Sequence, residues 1–144
     1  MSATPIEKLA TLVAQRTART DRLHEATCAL LAQLEPYVEV GASAEVERYL
    51  LTRSRVRSNV GYVDGWMFNE RRGDGACDLE QPVNGEGYIH GDFYCAWRGP
   101  SRDELIAFAS RAGRFVESFV KRSEHTVELL QEAQAAIDTA KTLL

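Results

Sequence analysis

The chain has 144 residues and a formal net charge of −4 at pH 7, and hydrophobic residues make up 44% of it. This length suffices for one domain with its own core, residues 1–144. The sequence shows no block of like charge, no membrane-spanning apolar run and no signal-peptide pattern, which argues against a membrane partner. Three cysteines without motif spacing favour a reducing, cytoplasmic setting over a disulfide framework.

Two capping boxes predict where two long helices begin. The first, Thr4-Pro5-Ile6-Glu7, predicts a helix over residues 5–35, and the second, Ser101-Arg102-Asp103-Glu104, predicts a helix over residues 102–144. In such a box the first side chain accepts a bond from a backbone amide three residues on, while the glutamate reaches back to the cap. Apolar residues then recur at intervals of three and four along both segments, as in helices that pack along one face.

The segment between these helices predicts a short helix followed by a sheet. Residues 44–52 have apolar residues at helical spacing after a cap-like sequence that begins at Gly41. Strands are predicted within residues 56–98, where Asp64-Gly65 between β-forming residues indicates the turn of a hairpin. A third strand is predicted from Gly87 to Trp97, where apolar and polar side chains alternate.

The predicted fold is therefore α+β. Two long antiparallel helices form a coiled-coil-like hairpin with a short helix, and a three-stranded antiparallel sheet is inserted between them. This layout of long helices joined through β-hairpins resembles that of prefoldin-type chaperone subunits, a resemblance that carries no functional residue. The apolar stripes are long for so short a chain, so we expect a homodimer or higher oligomer.

Potential metal ligands and acid–base groups occur in the predicted third strand and in the loop before it. Cys77, His90, Asp92 and Cys95 lack the tight pairs that zinc sites use, so we predict no metal site and no cofactor. His90 and Asp92 would lie on one strand face, which is compatible with proton transfer or a small-ligand site. No hydrolase, phosphate-binding or zinc-protease motif accompanies them, so we expect the chain not to be an enzyme.

An arginine cluster suggests an alternative function. With a turn at Asp64-Gly65, Arg57 would face Arg72, and two like charges in that position invite an anion between them. Together with neighbouring aromatic residues, these side chains have the ingredients of a nucleic-acid-binding face. Acidic residues in the adjoining loop could instead pair with the arginines inside the protein. The cluster consists of Arg53, Arg55, Arg57, Arg71 and Arg72.

The main prediction is a non-enzymatic protein–protein interaction module. The loop over residues 73–86 is long, acidic and punctuated by glycine, which suits a docking edge for a basic protein surface. A small inhibitor or adaptor of a phage or mobile element that binds a host factor would fit these features. The predicted partner-binding residues are Tyr62, Trp66, Phe68, Asp74, Asp78, Glu80, Tyr88 and Tyr94.

Overall fold

The computed structural model describes residues 3–58, 61–70, 88–89 and 101–144, with the backbone alone for 56–58, 61–63 and 88–89. The α+β class is confirmed, because an antiparallel sheet lies in the chain between the long helices. The helices are α1 (Pro5–Leu34), α2 (Arg102–Ala109) and α3 (Ala112–Lys141), and a 3-10 turn (Glu35–Tyr37) follows α1. The strands are β1 (Ser43–Val46), β2 (Tyr49–Ser58), β3 (Gly61–Glu70) and the two-residue β4 (Tyr88–Ile89), in that order across the sheet.

Both predicted capping boxes are present and set the starts of α1 and α2. The Glu7 amide donates to Thr4 Oγ1 at 3.2 Å, and the Thr4 amide donates to Glu7 Oε2 at 3.1 Å. The same reciprocal bonds join Ser101 and Glu104 at 3.1 and 3.0 Å. Each box satisfies two amides that the helix itself leaves without partners.

The predicted short helix over residues 44–52 is wrong, because this segment forms β1, a tight turn and the start of β2. Val46 pairs with Tyr49, so only two residues make the turn, and the first of them, Glu47, has a φ of 56°. The apolar residues alternate rather than following a helical period: Ala44 and Val46 are both buried on one face of the sheet. Burial in this segment therefore follows the two-residue repeat of a strand, although its apolar residues also have the spacing of a helix.

The predicted hairpin turn at Asp64-Gly65 is also wrong. Strands β2 and β3 pair over ten residues, from Tyr49 opposite Glu70 to Ser58 opposite Gly61, which places Asp64-Gly65 inside β3. A turn at Asp64-Gly65 would instead place Arg57 opposite Arg72. The observed register pairs the backbone of both strands over ten residues and brings Leu51 opposite Phe68 in the core.

The single long helix predicted for residues 102–144 is interrupted between α2 and α3. Arg111 leaves the helical region, with φ −120° and ψ 3°, and its side chain makes three contacts. It donates from Nη1 to the Ala107 carbonyl at 2.8 Å and from Nε to Glu47 Oε2 at 2.8 Å. Its guanidinium also lies 4.3 Å from the centre of the Tyr49 ring. These contacts stabilise the interruption between α2 and α3, because they form while the backbone of Arg111 is non-helical.

Glu47 links the β1–β2 turn to the start of α3. Besides Arg111, it accepts from Arg114 Nη2 at 3.0 Å. The hydrogen bond from Arg111 is the main reason that the pKa of Glu47 lies below its ordinary value, and the bond from Arg114 adds to it. The ionised carboxylate is therefore the form that holds the turn and the helix together.

Replacing Glu47 with asparagine should lower the melting temperature modestly at pH 7. Asparagine tolerates a positive φ, so the loss reflects the two arginine contacts. Because the folded-state pKa is lowered, these contacts stabilise the protein above the unfolded pKa and are lost as the pH falls through the folded value. The difference between wild type and variant in thermal unfolding should accordingly shrink below about pH 4. Glu47→Gly should behave likewise, and a difference that does not change with pH would contradict the assignment.

The core lies between the sheet and the helices and is rich in aromatic side chains. Phe68 of β3 meets Phe108 of α2 and Phe115 of α3 edge-on, with ring centres 5.7 and 6.0 Å apart. Trp66, on the same face, meets Phe119 at 5.9 Å. Edge-to-face pairs of this kind add to the stability that burial provides.

The predicted coiled-coil-like pairing of the two long helices is not confirmed. Helix α1 packs chiefly on α2, and α3 packs chiefly on β1. Every residue of α1 from Pro5 to Arg19 is exposed, as is every residue of α3 from Val120 onward. Only the parts of these helices that lie next to the sheet and α2 contribute to the core.

Candidate interaction surface

An open, mainly apolar groove lies where the chain leaves α1 and passes α3. Its volume is about 700 Å³. A second hollow of about 250 Å³ shares Tyr37, Val38 and part of the α3 wall with it. We call the larger hollow the α3 groove. It is lined by Leu34, Tyr37, Val38, Val116, Phe119, Val120, Ser123, Glu124, Val127 and Glu128.

The two walls of the α3 groove arise from simple local features. Pro36 lies in the short 3-10 turn after α1, and at Val38 the backbone becomes extended. Between them, Tyr37 projects outward with 82% of its surface exposed. On the opposite wall, Val120 and Val127 lie seven residues apart and therefore on the same side of α3. Both valines are about half exposed although nearby Phe119 is buried. The groove thus continues the core outward as an accessible apolar surface.

The rim of the α3 groove is acidic. Glu124 and Glu128 flank the apolar floor, and residues 123–140 hold four carboxylates and no lysine or arginine. His125 Nδ1 lies 3.9 Å from Glu128 Oε2. A ligand with an apolar face and basic flanks would complement this surface in both shape and charge.

The aromatic residues predicted to bind a partner lie in the core where their side chains are described. Trp66 is completely buried and Phe68 is 3% exposed, so the predicted contact surface cannot include them. Only the backbone is described for Tyr62 and Tyr88, which lie in β3 and β4. The remaining predicted partner-binding residues, Asp74, Asp78, Glu80 and Tyr94, lie outside the described residues, as does the whole loop over residues 73–86.

Of the predicted arginine cluster, the side chains of Arg53 and Arg55 are described, and both lie near acidic groups of the same chain. Arg53 is buried, with its guanidinium 5.4 Å from the centre of the Trp66 ring and Nη1 3.7 Å from Glu35 Oε1. Arg55 is exposed and lies 3.6 Å from Asp64. These two arginines have acidic partners within the protein.

The backbone register also removes the predicted pairing of Arg57 with Arg72. Arg57 lies opposite Tyr62. Arg71 and Arg72 lie outside the described residues. The anion site inferred from a turn at Asp64-Gly65 therefore has no basis in the strand pairing.

The potential acid–base and metal-binding groups of the sequence analysis lie outside the described residues. This applies to Cys77, His90, Asp92 and Cys95. Within the described ranges, no three His, Cys, Asp or Glu side chains come close enough to hold a metal ion. No helix in the same ranges is long and apolar enough to cross a bilayer.

One close pair of reactive side chains was not predicted. His24 and Cys28 lie one helical turn apart on α1, with His24 Nε2 3.4 Å from Cys28 Sγ. Burial lowers the pKa of His24, although Asp21 and Glu25 act in the opposite direction. Cys28 belongs to the core cluster. The spacing of four would have predicted the contact, which here contributes to packing.

The chain matches no protein-family model, no curated protein and no solved structure. The resemblance of its predicted layout to prefoldin-type subunits therefore receives no support from these comparisons.

Proposed function

We propose that this chain is a cytoplasmic, non-enzymatic protein-binding module that receives a partner segment in the α3 groove. Such a module would act as a small adaptor or inhibitor, as phages and mobile elements use against host factors. The observation that supports the proposal is an open apolar groove on a chain of this size, bordered by Glu124 and Glu128. Contiguous exposed apolar surface of this kind marks sites of protein contact.

The groove indicates the chemistry of the partner segment. One wall of the groove is formed by α3, and the groove is open to solvent. This shape suits an amphipathic helix that lies along α3. The apolar face of that helix would contact Val120, Val127 and the exposed ring of Tyr37. Its flanks would carry lysine or arginine, because the rim of the groove is acidic.

The proposal is tested by changing the floor of the groove without disturbing the core. Val120→Glu with Val127→Glu should abolish capture of a specific partner from extracts of the native host, measured by affinity purification and mass spectrometry. Both valines are about half exposed, so the free energy of unfolding of the double variant should lie within about 1 kcal/mol of the wild-type value.

Ile106→Glu is the matched control, because Ile106 is a half-exposed apolar residue on α2 that does not line the groove. It should capture the same proteins as wild type. If the groove variant retains every protein that wild type captures, the groove is not the contact surface and the proposal fails.

A further inference from the structure

Two apolar stripes, separate from the floor of the α3 groove, are left uncovered on the projecting parts of the long helices. On α1, Ile6, Leu9, Leu12 and Val13 are between 39% and 74% exposed. On α3, Leu130 and Ile137 are 64% and 55% exposed. We call these surfaces the α1 stripe and the α3 stripe, and neither is covered by the other within one chain.

The two stripes have opposite charge. Residues 5–19 of α1 contain three basic side chains and one acid, and that acid, Glu7, is engaged in the capping box. Residues 128–140 of α3 contain three acids and no lysine or arginine. The basic residues of the α1 stripe are Lys8, Arg16 and Arg19, and the acids of the α3 stripe are Glu128, Glu132 and Asp138. Each stripe would therefore repel a copy of itself and attract the other.

The stripes also match in length and pattern. Residues 5–19 and 128–140 would extend about 22 and 20 Å as helices. In an antiparallel arrangement, Arg16 and Arg19 lie beside Glu132 and Glu128, and Lys8 lies beside Asp138. The same arrangement places Leu9 and Val13 of one helix against Ile137 and Ala133 of the other, so that apolar and charged contacts form together.

From the exposure and complementarity of these surfaces, we propose that the α1 stripe of one chain binds the α3 stripe of a second copy. A two-fold axis would make the contact reciprocal, because each chain offers one stripe of each kind. The result is a closed dimer with two identical helix pairs. This inference does not depend on a partner in the α3 groove. Of the residues named for the two stripes, Glu128 alone also lines the groove.

Charge reversal tests the pairing directly. Wild type should have twice the monomer mass of 16.1 kDa in size-exclusion chromatography with light scattering at micromolar concentration. Arg16→Glu with Arg19→Glu should raise the dimer dissociation constant roughly tenfold or more, because like charges then face each other. Glu132→Arg with Asp138→Arg should do the same. All four residues are exposed, so thermal unfolding should confirm that the variants remain folded.

Combining the two pairs of changes in one chain should restore the dimer, because the opposite charges are then exchanged between the stripes. Arg48→Glu with Arg55→Glu is the control, since it changes the net charge by the same amount as Arg16→Glu with Arg19→Glu. Its positions, one in the β1–β2 turn and one in β2, are exposed, so it should leave the dimer intact. A monomeric wild type, or a combined variant that stays monomeric, would overturn the proposal. So would a dimer that neither pair of changes weakens. Partner capture through the α3 groove is a separate measurement and would stand in each of these cases.

Discussion

Replacing Trp66 with alanine is expected to lower the free energy of unfolding by about 3–5 kcal/mol. The side chain is completely buried, and it contacts both Phe119 and the guanidinium of Arg53. Its removal would leave a cavity between the sheet and α3 that surrounding side chains can fill only in part. Urea denaturation followed by far-UV circular dichroism measures the loss.

The control for Trp66→Ala is Tyr37→Ala, which removes an aromatic ring from the surface. Tyr37 is 82% exposed, so this variant should lose no more than about 0.5 kcal/mol. Equal losses for the two variants would contradict the placement of Trp66 in the core. The comparison also tests the assignment of the contact surface, because only Tyr37 should affect partner capture without a change in stability.

Replacing Glu35 with glutamine should cost about 2–3 kcal/mol, because it leaves the charge of Arg53 largely buried without its carboxylate. The Arg53 side chain is 10% exposed, and that of Glu35 is 27% exposed. Arg53 Nη1 lies 3.7 Å from Glu35 Oε1, and the same nitrogen donates to the Gly65 carbonyl oxygen at 3.5 Å. The pair is thus long and partly buried, so the loss should fall below that of a tight, fully buried pair.

Removing both charges should be less harmful than removing one. Arg53→Met with Glu35→Leu replaces the pair with apolar side chains of similar volume, and its free energy of unfolding should lie within about 1 kcal/mol of wild type. The exposed pair of Arg55 and Asp64 supplies the control: Arg55→Met should change stability by about 0.5 kcal/mol or less. A double variant less stable than Glu35→Gln would show that the ion pair stabilises the core outright.

The helix starts could be predicted from the sequence because the signals are local. Thr4 with Glu7, and Ser101 with Glu104, satisfy backbone amides within a single turn, and no distant contact is required. The end of α1 was predicted to within one residue for a similar reason, because Pro36 disfavours a helical backbone at the residue before it. The α+β class followed from these limits together with the β-forming segment between them.

The features that were missed depend on contacts distant in sequence. The Asp64-Gly65 turn is a strong local signal, yet the pairing of Leu51 with Phe68 and the burial of both against α2 and α3 outweigh it. The break before α3 likewise depends on Arg111, which is held by Glu47, 64 residues earlier in the chain. No local pattern at Arg111 reveals that partner.

The candidate site was missed because its residues come from two separate segments. Val120 and Val127 lie in the helix predicted over residues 102–144, but the sequence did not single them out, and the structure leaves both about half exposed. Tyr37 lies in a connection that received no prediction at all. An apolar residue just after a helix-ending proline is the one signal that could have drawn attention to this wall of the groove.

The exposed part of α3 links folding to association. From residue 120 onward, the helix has no buried residue, so its conformation rests on its own backbone bonds and local side-chain contacts. Helices in water gain most of their stability from packing, which a second copy would supply along the α3 stripe. Dilution would then shorten the ordered helix as well as separate the chains, and the concentration of the protein in the cell would set how far α3 extends from the core.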